Sequence, residues 1–592
     1  MTATTSGRPG SGPAAALTQL EPVGYTGAVT LHGRLGQRVA QAMETYGGLS
    51  DDDVLKGFRR AAGLPAPGND LTGWAAETSA MTFGQWVSGL ARLAAATGER
   101  GLAAKASGLI AGYAATLGAG HDPHLNIYAW EKLVCGFVDS AVYGGDAGAL
   151  PLLSKIVRAE RYDRTRAAAV ANDFSGEEPD FTIEWYTLAE NLYRGHWASG
   201  DDALATAARE WHYDAYWDRF RERPAPGRPW DIPAWLHAYS HVNTFASAAA
   251  AYEMHGDPGH LDILRNAYDW LTTTQTFATG GFGPHEFTMP QDGTLGRTLE
   301  WITDSAEITC GSWAAFKLCT ALLRFTGEAH YVDWVEQLVY NGIGATVPVQ
   351  PDGRTPYYAD YRLGVATKLP YWNAWPCCSG TYVQAVAHLH DLVYFRSPDG
   401  LAVALYVPSE YSGEVGGARA TIRQRTTFPE ADDTVVEIAL DRPAAFTLRL
   451  RVPGWAAMTI SVNDEPVPVT AGGDEWFALA RTWRDGDRVA VGLGPRLRAL
   501  PVDEQHPNRV AMAYGPVVLA QDVDWVVPFD APVPWSMLDW ESHLVRQGSQ
   551  LLFLPAEPGT HRMPPGPFRP FYEVPERRPY RIYHDLGSRR IV

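Results

Sequence analysis

The chain is poor in cysteine and has no long apolar run, and both absences narrow the class of protein. Only five of its 592 residues are cysteines, which fits a reducing compartment rather than an oxidising one. The first twenty residues contain no apolar core of the length that a secretory signal needs, and no later run approaches the ~20 apolar residues of a membrane span. We therefore expect a cytoplasmic protein with no membrane partner.

Basic residues are scarce relative to acidic ones. The chain has 49 Lys and Arg against 67 Asp and Glu, a formal net charge of −18. Phosphate binding needs a basic surface, so this balance argues against nucleic acid as a partner. A neutral or small polar substrate fits better.

Apolar and aromatic residues are abundant instead, at 46% and 11%, enough to bury large cores in two to four domains. The chain has 21 tryptophans. Flat rings stack on sugars, so such an excess is compatible with a carbohydrate cleft, although filling of helix cores is the favoured explanation.

Two of the five cysteines are adjacent, in the run Tyr371-Trp-Asn-Ala-Trp-Pro-Cys-Cys-Ser-Gly-Thr381. Neighbouring Cys377 and Cys378 are too strained to form an ordinary structural disulfide, yet they can offer two thiolates to one soft metal ion. The pair therefore points to chemistry rather than to packing.

Further ligands for such an ion lie upstream. Glu307 precedes Cys310 by three residues, so on a helix the two side chains would share a face, and with Cys377 and Cys378 they would complete a tetrahedral site. Burial as small apolar residues remains the alternative for these cysteines. We expect that simpler role for the other two, Cys135 and Cys319.

The first two thirds of the chain has a helical hydrophobic period. This helical period covers residues 25–395. We expect the N-terminal stretch before it, residues 1–24, to be disordered or extended. Gly followed by an acidic residue ends one helix and caps the next at four places, Gly98-Glu, Gly200-Asp, Gly256-Asp and Gly327-Glu. Recurring helical hairpins of this kind predict an α/α toroid, a six-hairpin barrel.

After residue 396 the period changes to two. The run Phe446–Val452 alternates apolar and polar residues, and with its neighbours it predicts a β-sandwich domain over residues 396–522. Residues 523–592 read as an irregular C-terminal segment that completes the β region and ends in a strand near Tyr580 to Tyr583. The fold class is thus α+β multidomain, an α/α toroid followed by β-sandwich domains.

A glycine-rich loop, Thr279-Gly-Gly-Phe-Gly-Pro-His-Glu-Phe287, interrupts the helices. It carries the carboxylate of Glu286 and allows close backbone approach to a ligand. Alone this is a weak signal, because Gly-Gly is only a turn signal and a loop glutamate is usually a solvated surface group.

Several motifs occur together over nearly the whole chain: Asp53 to Pro65, His241-Val-Asn243-Thr244, the Thr279–Phe287 loop, Cys377-Cys378-Ser-Gly-Thr381, Leu448 to Trp455, Trp483 to Asp487 and Ala513 to Pro516. In this combination the chain resembles the β-L-arabinofuranosidases of glycoside hydrolase family 127 and its relative family 146.

The resemblance implies a retaining exo-glycoside hydrolase in which a zinc-bound cysteine attacks the anomeric carbon. By position, Cys377 would be the nucleophile and Glu286 the general acid and then the base. Cys310, Cys377 and Cys378 would bind Zn²⁺ with a glutamate.

Two positions depart from the family pattern. The glutamate ligand usually stands two residues before the first ligand cysteine, where this chain has Ile308. We favour Glu307 as the ligand, with Asp304 or a site lacking a carboxylate as alternatives. Lys132 stands where the family's helix generally has a sugar-binding histidine, so a sugar other than β-L-arabinofuranose remains an alternative substrate.

The resemblance also suggests residues that hold the sugar. They are His241, Asn243, Tyr358, Trp375 as a stacking wall beside the cysteines, and Lys132 at its altered position. For Tyr358, core packing is an equal alternative. His237 lies four residues before His241, but without a third ligand we expect it in the core or on the surface rather than at a metal.

We therefore predict a glycosidase acting on a small carbohydrate substrate, with β-L-arabinofuranoside among its better substrates. A homodimer is compatible with the sequence. One alternative is a glycosidase of the same fold that acts on another sugar or uses a carboxylate pair, Glu286 with Glu300 or Asp304. The other is a non-catalytic carbohydrate-binding protein with a degraded site.

Overall fold

The computed structural model describes residues 18–118, 120, 122, 125–160, 184–469, 476–523, 544–555 and 567–586. Helices dominate up to residue 392 and strands dominate from residue 394, so the predicted α+β multidomain class is confirmed. Most of the predicted N-terminal stretch, residues 1–24, lies outside the described residues.

The helices are α1 (Gly33–Gly48), α2 (Asp51–Ala61), α3 (Ala80–Thr97), α4 (Arg100–Ala114), α5 (Ile127–Val142), α6 (Ala149–Ala159), α7 (Leu188–Ser199), α8 (Asp202–Glu210), α9 (Asp214–Trp217), α10 (Ala238–His255), α11 (Pro258–Thr274), α12 (Thr294–Thr298), α13 (Ile308–Thr326), α14 (Tyr331–Gln337) and α15 (Cys377–His388). Among the described residues, none of these helices is both long and apolar enough to cross a bilayer.

Glycines end the long helices where the sequence predicts. Gly98, Gly200, Gly256 and Gly327 each follow a helix and adopt the left-handed backbone conformation that glycine tolerates best. At two of these junctions the following aspartate accepts a backbone hydrogen bond from the first turn of the next helix. Short junctions of this kind turn the chain back and pair successive helices.

Six helices form a closed ring. Helix α3 packs on α5, α5 on α7, α7 on α10, α10 on α13, α13 on α15, and α15 again on α3. The helices α4, α6, α8, α11 and α14 each return along the outside of the ring against the inner helix that precedes them. This is the arrangement expected of an α/α toroid.

The six inner helices run in the same direction. Near their N-terminal ends, Tyr186 just before α7 contacts Ser240 in the first turn of α10, with 2.6 Å between the hydroxyl oxygens. Near their C-terminal ends, Arg324 in α13 pairs with Glu253 in α10 at 3.2 Å. One mouth of the ring therefore collects helix N-termini, which carry partial positive charge.

The strands are β1 (Glu21–Pro22), β2 (Val29–Leu31), β3 (Ala306–Glu307), β4 (Tyr358–Ala359), β5 (Tyr394–Ser397), β6 (Gly400–Val403), β7 (Ser409–Val415), β8 (Ala418–Thr426), β9 (Asp433–Leu440), β10 (Ala444–Arg451), β11 (Thr459–Val462), β12 (Glu465–Val467), β13 (Trp476–Trp483), β14 (Arg488–Gly492), β15 (Leu497–Pro501), β16 (Arg509–Tyr514), β17 (Val517–Asp522), β18 (Leu544–Arg546), β19 (Phe553–Pro555), β20 (Phe568–Pro570), β21 (Tyr580–Arg581) and β22 (Tyr583–Asp585).

These strands form three large sheets. A five-stranded sheet has the order β1-β5-β6-β10-β13, and a seven-stranded sheet has the order β12-β11-β14-β9-β8-β7-β2. The third, of eight strands, unites β15 to β20 with β21 and β22. Strand β9 alternates buried and less buried residues along its length, as the period of two predicts. The predicted terminal strand near Tyr580 to Tyr583 is present as β21 and β22.

Strands β3 and β4 pair apart from these sheets and carry part of the candidate site. They form an antiparallel two-stranded ladder in which Glu307 lies opposite Tyr358. Strand β3 leads directly into α13, and the backbone N–H of Ile308 donates to the carbonyl of Tyr357 at 2.8 Å. This ladder fixes the tyrosines against the N-terminal end of an inner helix.

Candidate active site

Three cysteines and one glutamate converge at the helix N-termini. One ligand atom from each of Glu307, Cys310, Cys377 and Cys378 lies within 4.8 Å of every other, and all four residues are buried. The Cys310 sulfur lies 3.3 Å from the Cys378 sulfur and 3.8 Å from the Cys377 sulfur. The fourth donor, Glu307 Oε1, lies 3.5 Å from the Cys378 sulfur.

Two helices bring these residues together. Cys377 and Cys378 are the first residues of α15, and Cys310 is the third residue of α13. Both N-termini are thus directed at the sulfurs, an arrangement that favours thiolates. The three-residue spacing predicted that Glu307 would lie in the helix with Cys310. In the structure Glu307 is instead the N-cap residue of α13, and its backbone is extended, with φ −81° and ψ 104°.

The donor set fits a zinc ion. Three sulfurs with one carboxylate are ligands that Zn²⁺ accepts in tetrahedral sites. The second carboxylate oxygen of Glu307 is buried without a hydrogen-bond partner, and burial raises the pKa of this carboxyl well above its usual value. A buried carboxylate in this position gains from a nearby cation.

The thiols of the cluster differ in acidity. Hydrogen bonds from Cys310 and Cys378 lower the pKa of Cys377 well below its usual value, whereas burial raises the pKa of Cys310 and of Cys378. Outside the cluster, Thr381 Oγ1 lies 3.0 Å from the Cys310 sulfur and the Tyr357 hydroxyl lies 3.5 Å from the Cys377 sulfur. Negative charge on sulfur is therefore best supported at Cys377.

The glycine-rich loop presents Glu286 in an uncommon conformation. Glu286 and the preceding His285 both have positive φ, 64° and 54°, in the left-handed region that non-glycine residues rarely adopt. The Tyr358 hydroxyl donates a short hydrogen bond to Glu286 Oε1. His237 Nε2 lies 3.3 Å from Oε2 of the same carboxylate. Such strain is typical of functional positions.

The contacts of Glu286 control its ionisation. Burial opposes the charge, but the hydrogen bond and charge of His237, with the tyrosine hydroxyls, lower the pKa of Glu286 to about 2. Burial likewise opposes charge on His237, but its bond to Glu286 raises the pKa of the imidazole to about 9. At any pH between these two pKa values, the two groups form an ion pair that holds one proton.

Adjacent tyrosines bridge the carboxylate and the sulfur cluster. Tyr357 reaches the Cys377 sulfur, and Tyr358, the next residue, reaches Glu286. Their rings are tilted by 38° with 4.3 Å between centroids, and the Tyr371 ring packs on Tyr357 at 4.6 Å. The Glu286 carboxylate and the Cys377 sulfur thus contact one aromatic wall.

His241 and Asn243 lie in the first two turns of α10, and the His241 ring packs against Tyr186 and Tyr216. His241 Nδ1 bonds the His237 carbonyl at 2.9 Å, and burial lowers the pKa of this ring to about 3, so it is neutral. Its Nε2 is buried without a hydrogen-bond partner, as is Oδ1 of Asn243. Unpartnered polar atoms of this kind are free to bind a ligand's hydroxyl groups.

Lys132 is buried and paired. Its ammonium lies 2.6 Å from Glu184 Oε2, 3.4 Å from Glu131 Oε2 and 3.3 Å from the ring centroid of Tyr128. Burial disfavours the charge, but Glu184 and Glu131 hold the pKa of Lys132 above its usual value. A cation with two carboxylates therefore stands where the resemblance would place a histidine.

Trp375 has little free surface. Its side chain is 4% exposed, and its ring packs edge-on against Trp86 with 5.3 Å between centroids. It also fills the space beside Gly353, where an added Cβ would lie 2.2 Å from the indole. Most of this ring contacts protein rather than a cleft.

The acidic alternatives have other partners. Asp304 Oδ2 lies 2.6 Å from His285 Nδ1, and Glu300 pairs with Arg509 at 3.0 Å. Cys135 and Cys319 are buried outside the cluster, and all five cysteines are free thiols. Sequence reasoning missed two site residues, His237, which was expected in the core or on the surface, and Tyr357.

A family model supports the same reading of the chain. The description "Beta-L-arabinofuranosidase, GH127 catalytic domain" matches residues 28–391, and "Beta-L-arabinofuranosidase, GH127 middle domain" matches residues 400–494. Among curated proteins, no relative matches the chain.

Solved structures share the fold over nearly the whole chain. A GH127 β-L-arabinofuranosidase from Geobacillus stearothermophilus is 17% identical, with TM-score 0.66, covering 94% of this chain and 99% of its own. The GH127 β-arabinofuranosidase BT3674 is 19% identical, with TM-score 0.68, covering 96% and 98%. With the family model matching more than half of its length, the chain belongs to the GH127 family of β-L-arabinofuranosidases, and it is a glycoside hydrolase.

Proposed function

We propose that the protein is a retaining exo-glycosidase that releases terminal L-arabinofuranose from β-linked substrates, with Cys377 as nucleophile and Glu286 as acid/base. The observation that carries this proposal is the tyrosine pair that joins the two groups, Tyr357 at the Cys377 sulfur and Tyr358 at the Glu286 carboxylate. A nucleophile and a proton donor on one wall are what a two-step displacement requires.

Glu307, Cys310, Cys377 and Cys378 would hold Zn²⁺, the metal that this donor set suits. When bound, the ion would keep the sulfurs deprotonated and offset their negative charge. We place the protein in a reducing, cytoplasmic compartment because the chain has only five cysteines.

In the first step, the Cys377 sulfur would attack the anomeric carbon and form a C–S bond while the glycosidic C–O bond breaks. Glu286 would donate its proton to the departing oxygen. Since Glu286 is ionised in its pair with His237, the proton must first pass from the imidazole to the carboxylate. His237 is therefore a positioning residue, which would donate its proton to Glu286 rather than to the substrate.

In the second step, Glu286 would take a proton from a water molecule, whose oxygen attacks the anomeric carbon. The C–S bond then breaks, and its electron pair returns to the Cys377 sulfur. Two displacements at one carbon retain the anomeric configuration. His241 Nε2 and Asn243 Oδ1, both buried without a partner, would bind sugar hydroxyl groups during both steps.

The test compares Cys377→Ser and Glu286→Gln with the wild type on a nitrophenyl β-L-arabinofuranoside. We expect Cys377→Ser to lose about 10³-fold or more in kcat/KM, because the substitution removes the sulfur that would form the glycosyl intermediate. Glu286→Gln should release one burst of nitrophenolate and then stall, with one pentosyl unit on Cys377 by mass spectrometry.

Cys319→Ser, a buried cysteine outside the cluster, is the matched control and should retain activity. Activity that survives Cys377→Ser would instead favour the carboxylate pair. Turnover of a pyranoside without turnover of the furanoside would point to another sugar, a candidate supported by the buried cation of Lys132. Sugar binding without turnover, unaffected by Glu286→Gln, would favour a degraded site.

A further inference from the structure

A second cavity lies inside the helical ring, away from the mouth that carries the cysteines. All six inner helices, or the residues directly after them, line it, and its volume is about 110 Å³. On α13 the lining begins at Lys317, about two helical turns and roughly 10 Å beyond Cys310. The cavity therefore lies deeper in the ring than the cysteine cluster, and no residue assigned to the active site lines it.

Four basic side chains line this cavity and are nearly buried. They are Arg92, Arg194, Lys317 and Arg324, with 4%, 12%, 10% and 13% of the side chain exposed. Two of them have a carboxylate each, because Lys317 pairs with Glu190 and Arg324 pairs with Glu253.

The other two basic side chains share one carboxylate. Arg92 Nε lies 2.6 Å from one oxygen of the fully buried Asp139, and Arg194 Nη2 lies 2.6 Å from the other oxygen. Among the described residues, the four cations thus bond three carboxylates. A buried cation without a counter-charge is unfavourable, so the excess of one positive charge calls for an anion.

The helix ends do not account for these cations. Basic side chains stabilise helix C-termini, but this interaction falls off within the last turn. Arg92 lies more than one turn before the end of α3, and Arg194 and Lys317 lie more than one turn before the ends of α7 and α13. Of the four, only Arg324 lies in a last turn.

The cations also have donors to spare. Nε of Arg324 is buried without a hydrogen-bond partner. The ammonium of Lys317 has three donor hydrogens and bonds one carboxylate, that of Glu190. Guanidinium and ammonium groups bind oxyanions through charge-assisted hydrogen bonds, which are stronger than neutral ones.

Small side chains on the facing helices leave room for a ligand. The wall includes Ala246, Ala249 and Ala250 on α10 and Ala321 on α13. One molecule takes about 30 Å³ in liquid water, so a cavity of about 110 Å³ holds only a few heavy atoms. An oxyanion of four or five heavy atoms fits this space, whereas an oligosaccharide does not.

We propose that this cavity binds one small oxyanion, of the size and charge of inorganic phosphate or a short carboxylate. The ligand supplies the negative charge that the four cations lack, and it joins α3, α7 and α13 below the active site. This inference does not depend on the proposed function, because no catalytic residue lines the cavity.

The test titrates sodium phosphate into the purified protein by calorimetry, with sodium chloride at the same ionic strength as the reference. We expect one phosphate per chain. At a hundred times its Kd, phosphate should raise Tm by about 2 °C above the value in chloride. A parallel titration with sodium acetate distinguishes the two sources of the oxyanion, since tighter binding of acetate would assign a carboxylate.

Arg194→Met removes the excess charge and leaves Asp139 paired with Arg92. We expect this variant to bind phosphate at least about tenfold more weakly. Arg158→Met is the matched control, because Arg158 also pairs with an aspartate, Asp201, but is 56% exposed and lies outside the cavity. It should bind phosphate as the wild type does.

Ala249→Leu changes no charge but fills part of the cavity. It should weaken phosphate binding by a similar factor. Circular dichroism shows whether each variant is folded, and if Arg194→Met is not, Ala249→Leu decides the question.

Stabilisation by phosphate and acetate no greater than by chloride would overturn the proposal, because only ionic strength would then act. Full binding in both Arg194→Met and Ala249→Leu would place the anion elsewhere. Competition of phosphate with the sugar in turnover would place it at the active site, and would equally refute the cavity as the binding site.

Discussion

At the scale of single residues, the pair Glu286 and His237 sets when the acid is available. The pKa of the Glu286 carboxyl is about 2 and that of the His237 imidazole is about 9, so the pair holds one proton at any pH between these values. The charges of Glu307 and Glu184 also favour the protonated imidazole. His237→Asn removes the imidazole, the group with the higher pKa, so that only the carboxyl of Glu286 can hold the proton. The alkaline limb of kcat/KM should therefore move to lower pH, by roughly one unit or more.

The measurement is a pH profile of kcat/KM on an activated glycoside. His285→Asn serves as the control, because this neighbouring histidine bonds Asp304 rather than Glu286, and it should leave the position of the limb unchanged. An unaltered alkaline limb in His237→Asn would refute the proton-sharing role.

The choice of the carboxylate ligand can be tested at Glu307. Its carboxylate belongs to the cluster, with Oε1 3.5 Å from the Cys378 sulfur, whereas the carboxylate of Asp304 bonds His285 outside the cluster. Glu307→Gln should therefore lower the zinc content per chain and abolish the loss of Tm that a chelator causes in the wild type, because a bound ion stabilises only the folded state. Elemental analysis after dialysis and thermal melting measure the two effects.

Asp304→Asn is the matched control and should bind zinc as the wild type does. If Asp304→Asn loses the metal while Glu307→Gln keeps it, Asp304 is the ligand. If both variants keep it, three sulfurs suffice.

Individual site residues differ in how far the sequence predicts them. The adjacent cysteines indicate metal chemistry by themselves, whereas the loop glutamate is a weak signal alone and gains its role only from the family resemblance. The contact of His237 with Glu286 cannot, because it depends on an isolated bridge between His237 and Phe287 that no local period encodes. Trp375 was expected to offer a stacking surface because it is close in sequence to the cysteines, yet its ring is buried.

At the scale of elements, helices α3 and α5 make the closest contact in the ring. An added Cβ at Gly84 would lie 1.9 Å from the Lys132 carbonyl oxygen, and one at Gly136 would lie 2.5 Å from the Gly84 carbonyl oxygen. Gly84→Ala must push the helices apart, so it should destabilise the fold by about 2 kcal/mol or more. Thermal melting detects this loss.

Gly101→Ala provides the matched comparison. Gly101 lies on the exposed side of α4, where an added Cβ meets nothing within 4 Å. Alanine is the better helix former, so this variant should melt at the same temperature as the wild type or higher. Equal destabilisation by both substitutions would contradict the close-packing explanation.

The hydrophobic periods predict the helices, their glycine ends and the change to strands, because each depends on local sequence. They do not predict where β1 and β2 lie. These strands precede the ring in the chain, yet β1 pairs with β5 and β2 pairs with β7 in the two sheets that follow it. Such long-range pairing depends on the complete fold rather than on a local period.

At the scale of the whole molecule, the helical ring and the β region share buried charges. Arg451 on β10 is fully buried and pairs with Asp333 and Glu336 on α14, and Trp455 Nε1 donates to Glu336 Oε2 at 2.7 Å. Buried charges are tolerated when each has its partner. The two parts of the chain therefore stabilise each other through this contact.

Removing the shared cation should destabilise both parts together. Arg451→Met leaves Glu336 buried without its cation, which typically costs about 3–5 kcal/mol. Adding Glu336→Gln removes the unpaired charge, so the double variant should recover part of the loss. We expect a single unfolding transition at a lower temperature, the same by circular dichroism and by loss of activity, because a fault at the contact acts on the ring and the sheets alike. A double variant less stable than Arg451→Met would contradict the role given to the unpaired charge of Glu336. Two separate transitions would mean that the ring holds the site without support from the β region.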